Sequence, residues 1–263
     1  MRFSKTLEAV ALLSLVSNVQ AEDKRPNIIL FLVDDMGWQD TSVPFHIQKT
    51  PLNNRYNTPN MERLAAMGAK FTQAYASSVS SPSRCSLLTG VNAARHRVTN
   101  WTFTKDVPTD EKHETLKMPQ WNVNGVQPVE GVPNSFPVTS LAAILSDNGY
   151  NTINCGKAHF GATDTPSANP VNLGFNVNIA GHAAGGLASY LGKERFGHNK
   201  NGEPVSGFAV PGLEEYWDED VFITEVLTLE AIKVLESSIE KKEPFFLYMS
   251  HYAVHVPLQA DNR

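Results

Sequence analysis

Cysteine is almost missing from this 263-residue sequence, with 2 in all, so a disulfide scaffold and a four-cysteine zinc site are both excluded. A basic excess is missing too. The formal net charge is −5, and nothing in the composition points to a nucleic-acid partner. No apolar run reaches the ~18 residues that a membrane-spanning helix needs. Internal repeats and low-complexity tracts are absent. What remains is ordinary globular composition, 41% hydrophobic and 19% charged, which argues against disorder, collagen and coiled coil. The length allows one large domain or two small ones.

Residues 1–21 read as a secretory signal peptide. Arg2 and Lys5 give a positive start, Ala9 to Val16 a short apolar core, and Val19-Gln20-Ala21 a small-x-small cleavage site. The rival reading is an amphipathic first helix, but charged Glu22-Asp23-Lys24-Arg25 follows at once. Export to the periplasm or the outside is therefore expected, and it would permit a Cys85–Cys155 disulfide. Two buried free thiols stand as an equal alternative.

The remainder alternates strands with helices. Asn27 to Val33 is a continuous β-rich apolar run, suited to a strand buried on both faces of a parallel sheet, and it ends in Asp34-Asp35. Thr58-Pro59 suggests an N-cap and a first-turn proline before a helical face of Met61, Leu64, Ala65 and Met67. Phe71 to Ala76 reads as a second strand and Pro82 to Leu88 as a short helix. Ser140 to Asn148 reads as a helix closed by Gly149, followed by a strand from Asn151 to Cys155. Asp220 to Lys242 is a long helix with Val221, Thr224, Leu227, Ala231, Val234 and Leu235 on one stripe, and Phe245 to Met249 a buried strand. The pattern implies an α/β sandwich with a mostly parallel sheet. Residues 92–138 and 161–218 lack periodicity and read as long loops that are either functional or disordered.

Two places carry chemistry. Ligands of α/β sheets bind outside the carboxyl ends of strands, where Asp34-Asp35 falls. Adjacent carboxylates repel unless a cation lies between them, and oxygen donors suit Ca²⁺ or Mg²⁺; a solvated turn is the plain alternative. In Ser80-Ser81-Pro82-Ser83-Arg84 the serine stands at a helix N-terminus, where unpaired N–H groups favour an anion, and Arg84 adds a fork suited to a tetrahedral oxyanion. A plain Ser/Pro turn is the alternative here.

The string Ser80-x-Pro82-Ser83-Arg84-x-x-x-Leu88-Thr89-Gly90 resembles the signature of the formylglycine-dependent sulfatases in its serine form. The other motifs follow in order. Arg25-Pro26-Asn27 leading to Asp34-Asp35 resembles the family's opening. Gly156-Lys157-Ala158-His159 is similar to its Gly-Lys-Trp-His segment, with Ala158 in place of Trp. His251-Tyr252-Ala253-Val254-His255-Val256-Pro257 resembles the late His-x-Pro segment.

The resemblance implies an alkaline-phosphatase-like sandwich with helices on both faces of a mostly parallel sheet. Residues 22–263 would form the N-terminal part of a catalytic domain. It implies that a maturase oxidises Ser80 to Cα-formylglycine, whose hydrate attacks the sulfur of a sulfate ester. Asp34, Asp35 and residue 80 would bind Ca²⁺, and Arg84 and Lys157 would hold the formylglycine and the sulfate. His255 would protonate the leaving alcohol and His159 would assist the expulsion of sulfate. His182 would line the substrate pocket, although a flexible loop is an equal alternative for it. Lys157 as a surface lysine, His159 as a satisfied core histidine and His251 as a partner of His255 are the structural alternatives. Trp101 and Trp121 would stack on sugars or pack internally. The family's later metal ligands, a further lysine and a C-terminal subdomain are not in the sequence. A truncated protein with an exposed apolar sheet edge and little activity is therefore expected. A sulfated carbohydrate is the expected substrate. A phosphodiesterase or phosphonate hydrolase of the same superfamily, and a non-catalytic binder of sulfated glycans, are the rival functions.

Overall fold

A computed structural model describes residues 25–110, 112–118 and 121–261. The expected signal peptide lies outside them. The core is a parallel sheet of four strands, β1 (Ile28–Val33), β4 (Asn151–Gly156), β5 (Val177–Ile179) and β6 (Phe245–His251), in the order β1-β6-β4-β5. The short strands β2 (Val126–Gln127) and β3 (Phe136–Pro137) pair separately. The helices are α1 (Pro59–Met67), α2 (Ser80–Thr89), α3 (Ala93–His96), α4 (Leu141–Asp147) and α5 (Ile223–Glu240).

The apolar strands are continuous because both faces of the sheet are covered. Phe245, Leu247 and Met249 of β6 join Ile153 and Cys155 of β4 beneath Ile223, Val226, Leu227 and Ala231 of α5. Phe246 and Tyr248 point the other way, into a second cluster with Cys85 and Leu88 of α2, Ala142 of α4, Phe160 and Phe175. This is the both-faces-buried pattern of a parallel sheet. Strand β1 is the exception. It turns Ile28, Leu30 and Leu32 toward the second cluster, whereas Ile29 and Phe31 on its other face stay 55% and 56% exposed. The expected bare apolar edge is present.

Several elements depart from the sequence reading. Phe71 to Ala76 forms no strand. It finds no ladder partner, and Phe71 and Tyr75 lie in solvent. Helix α1 forms, but Thr58 does not cap it, because its hydroxyl bonds Thr41 at 2.8 Å and Ser42 at 2.7 Å. Its apolar positions Leu64 and Met67 are exposed. Helix α5 starts at Ile223 rather than Asp220, because Phe222 bridges Leu191 in extended conformation and the Ile223 N–H bonds the Tyr190 carbonyl at 2.9 Å.

Cys85 and Cys155 are both free and buried, in the clusters on opposite sides of the sheet, so the Cys85–Cys155 disulfide does not form. Burial pushes both thiols up to about 12, which leaves almost no thiolate near neutrality. Neither cysteine should react with an alkylating reagent at about pH 8 in the folded protein, and both should react in denaturant. Peptide mass spectrometry after timed labelling reads this directly; fast native labelling of either residue would refute the buried placement.

Candidate active site

The sheet register sets the site. Val33 pairs with His251 and Gly156 with Ser250, so β1, β6 and β4 all end at the same edge. The residues just past those ends are Asp34, Lys157 and the segment leading to His255. Asp34 is tied to the turn after β6 by two backbone bonds, its N–H donating to Ala253 at 2.9 Å and its carbonyl accepting from Val254 at 2.7 Å. Lys157 leaves β4 through Gly156, whose φ is +91° and whose added Cβ would lie 2.0 Å from the Ser250 carbonyl oxygen. Only glycine permits that approach.

Arg84 joins these ends to α2. Its Nε donates to Ser80 Oγ at 3.0 Å. Its Nη1 donates to the Lys157 carbonyl at 3.0 Å, Tyr248 Oη at 3.1 Å and Ser250 Oγ at 2.5 Å, and its Nη2 to Asp34 Oδ1 at 2.7 Å. Lys157 Nζ takes the other Asp34 oxygen at 2.5 Å. All three side chains are buried, Lys157 completely, which removes the surface-lysine alternative. Burial works against the Arg84 charge, but Tyr248 and Asp34 outweigh it and hold the guanidinium protonated. Burial first, then the Arg84 charge, pull Lys157 down to about 8 against the attraction of Asp34. With most of its fork on protein groups, Arg84 chiefly orients Ser80 and Asp34.

His159 completes the grip on residue 80. Its Nδ1 lies 3.2 Å from Ser80 Oγ and its Nε2 2.7 Å from the Thr102 carbonyl oxygen. A carbonyl can only accept, so Nε2 carries the hydrogen. Burial, reinforced by the charge of Lys157, holds the ring well below its ordinary pKa and therefore neutral. Nδ1 then offers a lone pair to the residue 80 hydroxyl. The ring edge presses on Gly185, where a Cβ would stand 2.1 Å from Cε1. His159 and Asp35 both hold left-handed backbone, φ 58° and 57°, a conformation that costs non-glycine residues of order 1 kcal/mol and clusters at functional sites.

His182 sits beside this group. Its carbonyl accepts the His159 N–H at 3.2 Å, and its buried Nε2 has no bonding partner among the described residues. His255 faces the other side, with Nδ1 2.8 Å from the Val256 carbonyl and Nε2 3.9 Å from Asp35 Oδ2. Asp34, Asp35 and His255 bring ligand atoms within 4.8 Å of one another. Gly186 packs on the His255 ring. Tyr190 Oη lies 2.6 Å from the His255 carbonyl oxygen and 3.0 Å from that of Tyr252, which pins the segment carrying His255. His251 packs against Phe31 with ring centroids 5.2 Å apart.

Asp34, Asp35, Ser80, Arg84, Lys157, His159, His182 and His255 thus lie around one sheet edge, whereas Trp121 lines a separate cavity with Asp106, His113 and Met118. Thr102, Tyr190, Tyr248, Ser250 and the Gly185-Gly186 pair escaped the sequence reading. Only the glycine pair left a trace there, as the loop around His182.

A sulfatase family model matches residues 26–263. The chain belongs to the sulfatase family. It is 28% identical over 248 residues to an arylsulfatase of Klebsiella aerogenes, covering 91% of this chain and 45% of that protein. It is 29% identical over 257 residues to N-acetylgalactosamine-6-sulfatase of Mus musculus, covering 90% of this chain and 41% of that one. Among solved structures it is similar to Ps i-CgsB, crystallised in complex with k-i-k-neocarrahexaose, at TM-score 0.62 and 27% identity, covering 90% of this chain and 47% of that one. The chain spans less than half the length of these relatives, and the α/β fold with its mostly parallel sheet is theirs.

Replacing Arg84 with Met should destabilise the sulfatase chain by about 1–3 kcal/mol, because buried Asp34 Oδ1 and Ser250 Oγ lose their donor while Lys157 still pairs with Asp34. The denaturant midpoint measures this, and an unchanged midpoint would remove Arg84 from its central place. Stability should also depend on pH. Burial lowers His182 and His251 to about 4 from 6.5. Between those values the unfolded chain binds more protons than the folded one. The stabilisation is therefore complete above pH 6.5 and is lost as pH falls toward 4, by up to about 3 kcal/mol for each histidine. Urea unfolding across this range should show the slope, and His251→Phe should flatten it.

Proposed function

We propose that the chain carries part of the catalytic centre of an exported sulfatase that cleaves sulfate esters of a carbohydrate. The observation that supports this most directly is Ser80 Oγ held between Arg84 Nε and His159 Nδ1 at the strand ends, one guanidinium away from Asp34. A serine alone would form a stable sulfate ester. Oxidised to formylglycine by a maturase and hydrated, residue 80 supplies a second hydroxyl that allows sulfate to leave.

Arg84 orients the residue 80 oxygen. His159 Nδ1 accepts the hydroxyl proton of residue 80 when sulfate is expelled, and the Thr102 carbonyl keeps the opposite nitrogen protonated. Lys157 places positive charge beside the sulfate oxygens. His255, on the Asp35 side, keeps a hydrogen on Nδ1 against the Val256 carbonyl, so it delivers a proton to the leaving alcohol through Nε2 from its doubly protonated form and is left neutral. His182 lines the pocket.

The formal charges of Asp34 and Asp35 balance those of Arg84 and Lys157, so an anionic ester and an ionising hydroxyl call for further positive charge. The carboxylates of Asp34 and Asp35, with the residue 80 oxygen, would form a hard donor set suited to Ca²⁺, whereas the His255 imidazole, which lies within 4.8 Å of both carboxylates, suits it poorly. When bound, Ca²⁺ would supply charge stabilisation to the oxyanion and the nucleophile. The names of the mouse relative and of Ps i-CgsB's bound sugar support a sulfated carbohydrate as the substrate class.

Expression with a formylglycine-generating maturase should leave residue 80 two hydrogens lighter than serine by peptide mass spectrometry. Cleavage of a sulfate ester should exceed that of a phosphate diester, depend on Ca²⁺, and be lost in Ser80→Ala. Preference for the diester would favour a phosphodiesterase. An unmodified Ser80 with retained affinity for a sulfated glycan and no cleavage would favour a non-catalytic binder.

A further inference from the structure

We propose that Ser81, the residue after the nucleophile position, is a positioning residue that fixes the tautomer of His159 by way of the Thr102 backbone. The proposal rests on the reading of His159 as the proton acceptor for residue 80. Ser81 is fully buried, and its Oγ accepts the Thr102 N–H at 3.0 Å while lying 3.3 Å from Thr102 Oγ1. The carbonyl of the same Thr102 receives His159 Nε2 at 2.7 Å. One residue on, the Phe103 carbonyl accepts from the Thr163 N–H at 2.7 Å.

Residues 101–103 belong to no helix or strand. No ladder holds the Thr102 carbonyl in place; the Ser81 bond on one side and the Thr163 bond on the other do. The consequence for chemistry is specific. With the carbonyl present, the neutral imidazole keeps its hydrogen on Nε2 and its lone pair on Nδ1, facing residue 80. Without it, the hydrogen is free to sit on Nδ1, and the ring then has nothing with which to accept a proton from residue 80. Ser80 and Ser81 divide the work: the first presents its oxygen to the ring, and the second holds the acceptor behind the ring. A burial argument points the same way. Losing the Ser81 hydroxyl leaves the Thr102 N–H inside the protein without its acceptor, and the loop relaxes to find another.

The test reads the ring itself in the whole chain, labelled with ¹⁵N-histidine, with the His159 signals identified by their loss in His159→Gln. Imidazole ¹⁵N shifts separate a protonated nitrogen from one with a lone pair. The parent protein should show Nε2 protonated and Nδ1 bare. Ser81→Ala should lose this single form and gain the Nδ1-protonated one, while far-UV circular dichroism confirms that the fold is retained. Ser81→Thr, which keeps the hydroxyl, should restore the parent spectrum. Ser81→Cys, similar in shape but a weak acceptor, should behave like Ser81→Ala. The proposal is overturned if the parent already carries its proton on Nδ1, or if the Ala and Cys variants fold and leave the His159 shifts unchanged. It falls equally if both variants fail to fold, since the role of Ser81 would then be structural. No turnover enters this measurement, so failure to cleave sulfate esters would count against the proposed function alone.

Discussion

The buried carboxylate of Asp34 is the constraint around which the candidate site is arranged. An ionised group inside a protein is tolerated only when paired, and Asp34 is paired twice, with Arg84 and Lys157. Each partner arrives from a different element. Arg84 projects from α2, Lys157 follows β4, and Asp34 follows β1. Satisfying one charge therefore draws three separate pieces of chain to the same edge, and Tyr248 and Ser250 add the β6 strand between them. Ser80 comes along, because it lies on the same helix as Arg84 and its oxygen meets the same guanidinium.

A second layer orders what the charges gather. His159 is gripped at both nitrogens and along one ring edge, by Ser80, Thr102 and Gly185. Its left-handed backbone is held in place by that grip. His255 is arranged differently, through its peptide carbonyl on Tyr190 and its Nδ1 on Val256. One histidine is rigid and neutral against Ser80, and the other opens toward Asp35.

Other parts of the described residues leave apolar side chains exposed. Strand β1 leaves Ile29 and Phe31 in solvent, and α1 leaves Leu64 and Met67 there. Apolar side chains at these densities are what a sheet edge shows when the described residues include no element to lie over it. The chain covers 41–47% of three of the relatives it matches, and the candidate site draws on elements spread over most of its length.

Periodicity and punctuation alone determined most of the regular structure. The apolar runs at Ile28–Val33 and Phe245–His251 are both legible as parallel strands, but only the second is buried on both faces; the first leaves Ile29 and Phe31 exposed. The motifs around Asp34, Ser80, Lys157 and His255 were likewise readable, because their residue types stand at fixed spacings along the chain. Tertiary structure decided the rest. Phe71 to Ala76 has strand composition but no partner, and pairing is not a property of a segment. Thr58 has cap chemistry, but Thr41 and Ser42 compete for its hydroxyl. Thr102 and Tyr190 act through backbone carbonyls, their own or another residue's, and such contacts leave no signature in residue type. The sequence names the candidate groups; only the folded chain fixes which nitrogen of a ring holds the proton, because that depends on an acceptor brought from far along the chain.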